Sequence, residues 1–304
     1  MDAPASIFVS SGKPVFLHYD QKSLDEAYDQ NIWARDRDGA WRRRSAASDE
    51  VRSRIGAPTR LTYGAADIEK LDLYRTQAKD APTVILVHGG AWRRGNASDH
   101  AFAAERFVTA GSHYVVPDFA NVQDVGGDLN VLVGQVRNVI FWTFREIRRF
   151  GGNPDQIYLV GHSSGAHLAT AALLTDWASL GLSPGIVRAA FCLSGLYDLK
   201  GARLSARSNY VSFTDQVEHD LSAARHTHRI PCPITVAYGS LDSPEFQRMA
   251  QEFAKALCDV HKLAGLLVAD QMDHFETLEC LSDPRTAIGR AALNMVFPGR
   301  SRAI

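Results

Sequence analysis

The residues best placed to do chemistry are Gly161-His162-Ser163-Ser164-Gly165, a GxSxG between an apolar run, Ile157 to Val160, and an Ala-rich stretch. A serine at such a strand-to-helix junction sits on a tight, strained turn with its hydroxyl above the sheet. The flanking glycines remove side chains that would collide with that backbone. The chemistry implied is nucleophilic attack by Ser163. The alternative, a Gly-rich helix N-terminus that cradles phosphate, lacks a lysine at the P-loop position.

A nucleophilic serine needs oxyanion donors, a base and an acid to orient the base. His88-Gly89-Gly90-Ala91-Trp92 directly follows an apolar run, and backbone amides from such a loop can join the amide of Ser164 in holding an oxyanion. His88 reads as loop packing. In a strand-turn-helix setting of this kind the order is Ser, then acid, then His. The acid candidate is Asp242, which follows Ile234–Tyr238 and lies 79 residues after Ser163; His274 follows Leu266–Val268, a further 32 residues on. Glu245 is the rival acid, placed second because it lies further from the strand end. His261 belongs to a helix, Glu252 to Lys262, and Asp273 is expected to point away from its neighbour. His162 and His167 flank the serine, and His162 reads as packing or polarising rather than as the base. His219, His226 and His228 form an HxH-like group without a clear fourth ligand, so no metal is expected.

These residues must be held by a framework. Thr83–Val87, Tyr114–Val116, Ile157–Val160, Ala189–Leu193, Ile234–Tyr238 and Leu266–Val268 are short runs apolar on both faces, suited to central strands of a covered parallel sheet. Between them, Leu132, Val136, Val139, Ile140, Phe144 and Ile147 form a helical stripe closed by Arg148-Arg149 and Gly151-Gly152. A second helix runs from Ser164 to Leu174. The alternation predicts a doubly wound α/β sheet.

The whole chain, 304 residues with 33 basic and 34 acidic side chains, 45% hydrophobic and 22% charged, fits one globular α/β domain, 1–304. The near-neutral charge argues against nucleic acid as a partner, and no run of eighteen apolar residues predicts a membrane span. The N-terminus lacks a secretory pattern, and four scattered cysteines suit buried thiols in a reducing compartment, so a cytoplasmic protein is expected. The sequence is compatible with a homodimer. Residues 1–60 form a distinct lead before the core, 61–304, and are expected to cover part of the site's mouth. Their basic run, Trp41-Arg42-Arg43-Arg44, reads as a solvated face.

Taken together, HGGAW (88–92), GHSSGAHL (161–168), DSPEF (242–246) and DHF (273–275), with LDEAY (24–28) before them, resemble the arylformamidase (kynurenine formamidase) family of α/β-hydrolases. The resemblance spans most of the chain. It implies an α/β-hydrolase fold, with a mostly parallel central sheet and helices on both faces. It also implies a triad of Ser163, His274 and Asp242, an oxyanion hole on the amides of Gly90, Ala91 and Ser164, and no cofactor. The implied reaction is hydrolysis of N-formylkynurenine or related aryl amides, with aryl and short-acyl esters as the alternative substrates and a catalytically silent binding protein as a third reading. Two departures touch the acyl site: Ala91 stands where the family commonly has Tyr, and Ser164 where it has Ala. Trp92, Phe119 and Tyr210 are candidate walls for an aromatic group, Trp92 equally a core residue.

Overall fold

The computed structural model describes residues 12–299, so the first eleven residues of the lead lie outside the described residues. The sheet contains β1 (Thr59–Thr62), β2 (Lys70–Tyr74), β3 (Ala81–Val87), β4 (His113–Pro117), β5 (Gly152–His162), β6 (Val187–Leu193), β7 (Ile234–Gly239) and β8 (Leu263–Ala269). Their order is β1-β2-β4-β3-β5-β6-β7-β8. β1 pairs antiparallel with β2, and β2 with β4. From β4 to β8 every pairing is parallel.

The helices are α1 (Gln21–Tyr28), α2 (Gln30–Trp33), α3 (Arg37–Ile55), α4 (Ala104–Ala110), α5 (Leu129–Glu146), α6 (Ser164–Leu173), α7 (Lys200–Leu204), α8 (Asp215–Asp220), α9 (Pro244–Asp259), α10 (Glu276–Glu279) and α11 (Ala287–Val296). Alternation along the strands divides the core into two layers. Ile85 and Val87 of β3, Leu159 of β5 and Val236 of β7 face a core built with α5, α6 and α9. Val84, Leu86, Val160 and Ala237 face the other, built with α3, α4 and α11. Both faces are therefore dry, which is why these strands read as unbroken apolar runs.

Three local expectations change. β1 and β2 were not legible as strands, because Lys70 and Asp72 interrupt the apolar pattern. Asp72 is buried there because Arg60, directly opposite on β1, reaches it at 2.9 Å and also pairs with Asp118. β8 is an edge strand: Leu266 and Val268 lie on its open face and are exposed rather than buried. The helix expected at Glu252 starts eight residues earlier, with Pro244 in its first turn and Ser243 as its N-cap; it ends before His261, which is exposed in the turn beyond.

The lead is packed on the core. Gln30 donates to the Ser243 hydroxyl at 2.9 Å and its carbonyl oxygen accepts from the Ser243 amide at 3.2 Å. The Arg35 amide donates to Asp273 at 2.9 Å.

Candidate active site

Ser163 follows β5 and caps α6 with φ 55° and ψ −124°. A non-glycine residue pays roughly 1–3 kcal/mol for such a conformation. Its neighbours allow it: a Cβ on Gly161 would lie 2.6 Å from Ala166 Cα, and one on Gly165 only 2.1 Å from the Val87 carbonyl oxygen. The Ser163 amide donates to Leu193 of β6 at 2.9 Å, which anchors the turn to the sheet.

His274 Nε2 is 2.8 Å from Ser163 Oγ, and its Nδ1 is 3.3 Å from Asp242 Oδ1. All three side chains are buried. The second contact is close but poorly aligned for a hydrogen bond, a looseness common in unliganded sites. Asp242 is held by the Gly239 amide, which donates to Oδ2 at 3.3 Å. The structure thus brings together Ser163, His274 and Asp242 from the ends of β5, β8 and β7.

The rival acids are otherwise engaged. Glu245 forms an ion pair with Arg248 at 2.7 Å and accepts from the Tyr28 hydroxyl at 3.2 Å. Asp273 accepts from the amides of Phe275 and Glu276 at the start of α10. His162 braces the base from below: its Nε2 donates to the His274 carbonyl oxygen at 2.8 Å, which also accepts from Thr277 at 2.9 Å. Burial first, and the neighbouring His274 second, push the His162 pKa well below the ordinary histidine range.

The loop after β3 coils over the serine. Gly90, Ala91 and Trp92 have φ of 127°, 56° and 62°. Only glycine fits at position 90, where a Cβ would meet the Arg94 carbonyl oxygen at 1.9 Å. The Trp92 amide donates to Ser164 Oγ at 3.2 Å. The amide of Ser164 itself opens α6, where first-turn N–H groups have no intrahelical acceptor. Gly90 and Ala91 line the cavity above Ser163, and Ser164 lies directly behind it at the start of α6.

Ser163 and His274 open on a cavity of about 290 Å³, whose wall includes Ala91, Arg207 and Tyr210, with Tyr28, Trp41 and Arg44 from the lead. Tyr210 is thus on the wall, with the Arg93 guanidinium 4.4 Å over its ring. Trp92 and Phe119 are not. The Trp92 indole N–H donates to His167 Nδ1 at 3.2 Å, and His167 in turn donates to the Leu221 carbonyl oxygen, so the ring is fixed in the core. Phe119 stacks on His88 at 4.3 Å, and His88 on His100 at 5.1 Å. Both aromatic candidates pack beneath the loop rather than face a ligand.

Sequence reasoning expected the lead over the mouth but did not single out Tyr28, Trp41 and Arg44 as its wall residues. The available signal was the i, i+3 spacing of Trp41 and Arg44, which puts both on one helical face. It also missed Asp220, which stands with His219 and His226, ligand atoms within 4.8 Å of one another. Their nitrogens are engaged locally, His226 with the His219 carbonyl oxygen and His219 with Asp220. His228 is not part of that group. No helix among the described residues is long and apolar enough to cross a membrane.

A family model described as BD-FAE matches residues 71–181. Kynurenine formamidase of Danio rerio is 32% identical over 281 residues, covering 84% of this chain and 92% of that protein. A crystal structure from Silicibacter sp. TM1040 superposes with a TM-score of 0.77 at 22% identity, covering 90% of this chain and 98% of the other. The carboxylesterase EstE1, cloned from a metagenomic library, superposes with a TM-score of 0.64 at 16% identity, covering 84% and 93%. The fold is that of the α/β-hydrolases. The sequence match is broad enough to place the protein: it is a hydrolase and belongs to the arylformamidase (kynurenine formamidase)-like family.

Proposed function

We propose that the protein is a serine hydrolase that cleaves small aryl amides of the N-formyl-arylamine type, N-formylkynurenine among them, through an acyl-enzyme. The observation that carries this reading is the 2.8 Å contact between His274 Nε2 and Ser163 Oγ on a strained turn, with Asp242 behind the imidazole.

In this mechanism His274 takes the Ser163 proton as Oγ attacks the acyl carbonyl. Asp242 holds the ring in the tautomer with its proton on Nδ1 and stabilises the charged form. The amides of Gly90, Ala91 and Ser164 receive the oxyanion, at about 3 kcal/mol per donor. His274 then protonates the leaving amine, and water repeats the cycle on the acyl-enzyme. No step calls for a cofactor. In this reading the lead forms part of the wall over the reacting groups within one domain.

Cleavage of small aryl or short-acyl esters is the second reading, favoured by Ala91 on the cavity wall, whose methyl leaves more room than the tyrosine common in the family. The test is kcat/KM on N-formylkynurenine beside p-nitrophenyl acetate and butyrate, with Ser163→Ala as control. Formamide cleavage at least about tenfold better, lost in Ser163→Ala, supports the amidase. Ester turnover with negligible formamide cleavage supports the esterase. Unchanged activity in Ser163→Ala overturns both.

A further inference from the structure

The basic run of α3 does not behave as one solvated face. Arg42 is exposed, and Arg43 reaches Glu279 at 3.3 Å and Asp36 at 3.6 Å. Arg44 turns inward, is only 3% exposed and lines the cavity above Ser163. Among the described residues no carboxylate lies within ion-pair distance of it, and its Nε has no hydrogen-bond partner. The carboxylates that act on it through space are Glu279 and Asp99. Glu279 is paired with Arg43, while Asp99 accepts from Ser45 at 3.4 Å and Asn96 at 2.8 Å. Burial brings the guanidinium pKa down to about 10, so it remains a cation at neutral pH.

The groups around it do not neutralise this charge. Arg93, Arg94 and Arg207 line the same cavity. Arg207 is buried and holds the Tyr28 carbonyl oxygen at 2.9 Å, with no carboxylate partner among the described residues. The two acids on the wall serve local structure: Asp25 accepts from Gln21 and the Ala206 amide, and Asp29 caps α2. His88, His100 and His162, which also feel Arg44, are held neutral by burial. A buried cation without a counter-ion is costly and is ordinarily kept only where a partner arrives from outside. The Trp41 ring backs the guanidinium at 4.3 Å, leaving its donor edge for a planar acceptor.

We propose that Arg44 binds a carboxylate carried by the substrate, so that the preferred substrates are carboxylated amides or esters. A guanidinium fork matches a carboxylate through two parallel hydrogen bonds, which an uncharged amide cannot reproduce. The inference rests on the reading of Ser163 as the nucleophile in the same cavity. On N-formyl-arylamines the carboxylate sits on the leaving group; on esters, the second reading, it sits on the acyl group or the leaving group.

The test uses two matched pairs. p-Nitrophenyl hydrogen glutarate beside its side-chain carboxamide probes the acyl side. 4-(Carboxymethyl)phenyl acetate beside 4-(carbamoylmethyl)phenyl acetate probes the leaving group. One pair is expected to show at least about a tenfold kcat/KM preference for the carboxylate, the scale of one charge-assisted hydrogen bond, with Arg44→Gln reducing that ratio about tenfold and Arg44→Lys retaining part of it. The ratio within one preparation does not depend on how much of the variant is folded. Which pair responds identifies the position of the carboxylate. If Arg44→Gln does not fold, inhibition of the wild type and of Arg44→Lys decides: benzoate should compete at least about tenfold better than benzamide in the wild type and by a clearly smaller factor in Arg44→Lys. Ratios near one in both wild-type pairs, a ratio unchanged in Arg44→Gln, or equal inhibition by benzoate and benzamide overturns the assignment. Ser163→Ala, assayed on the neutral esters, keeps the two readings apart. If it abolishes turnover while no carboxylate preference is seen, only the anion site fails; if turnover persists, the serine mechanism fails.

Discussion

The Trp92 amide donates to the Ser164 hydroxyl at 3.2 Å, joining the loop after β3 to the first residue of α6. In the proposed mechanism these are the two segments whose amides receive the oxyanion, and the link uses a side chain where the family commonly has alanine. Ser164→Ala removes the acceptor but keeps the backbone. A buried neutral hydrogen bond of this kind is worth about 0.5–1.5 kcal/mol, so kcat/KM is expected to fall about three- to tenfold. Steady-state kinetics on p-nitrophenyl acetate measure it; an unchanged value would show that the loop keeps its shape unaided.

The two acids in the segment after β7 have different tasks. Asp242→Asn is expected to lower kcat on the order of 10⁴-fold, because the imidazole loses its tautomer and its charge partner. Glu245→Gln should spare the chemistry and destabilise the protein by about 2 kcal/mol, since Arg248 and Tyr28 lose a buried acceptor. Urea denaturation beside kinetics separates the two. A large loss of kcat in a stably folded Glu245→Gln would reverse the assignment.

Stability should depend on pH through buried histidines. Burial brings His113 and His167 down to about 4 from the ordinary 6.5, and holds His100 and His162 well below that value. Between pH 6.5 and 4 the unfolded chain takes protons that the native state refuses. Their contribution is complete above about pH 7 and is lost as pH falls through 6.5, at up to about 1.4 kcal/mol per pH unit for each proton. Thermal unfolding from pH 8 to 4 should show a plateau and then a steep fall. A melting temperature unchanged down to pH 4 would contradict this account.

Gln30 and Ser243 exchange two hydrogen bonds one residue from Asp242. Gln30→Ala leaves buried polar groups of Ser243 without their partner, at about 1–3 kcal/mol. We expect a lower melting temperature together with a severalfold loss of kcat and little change in KM, because the acid is loosened while the cavity wall stays. An unaltered kcat at full folding would limit this pair to stability.

The parallel core could be read from sequence because each run, such as Val84 to Val87, feeds two dry layers and carries no polar interruption. The segment Lys70–Tyr74 could not, since burying Asp72 depends on Arg60 across the sheet, a pairing with no local trace. The convergence of Ser163, Asp242 and His274 was legible from their order after three strands. The cavity wall was not. Whether Trp92 faces a ligand or His167, and whether Arg44 meets solvent or a pocket, is set by contacts between segments far apart in the chain. Composition treats Arg42, Arg43 and Arg44 alike; the turn of α3 does not.

Two anchors of the lead lie beside late residues of the site: Gln30 holds Ser243, and Arg35 holds Asp273. The partners in these contacts are 213 and 238 residues apart. During synthesis the lead must therefore wait for more than two hundred further residues before either anchor can close. On the proposed mechanism, a growing chain would carry Ser163 on its turn well before it carried His274, so hydrolytic competence would arrive in one late step. A protease that cut between Arg35 and α3 would act on the same dependence in reverse, releasing the supports beside Asp242 and His274.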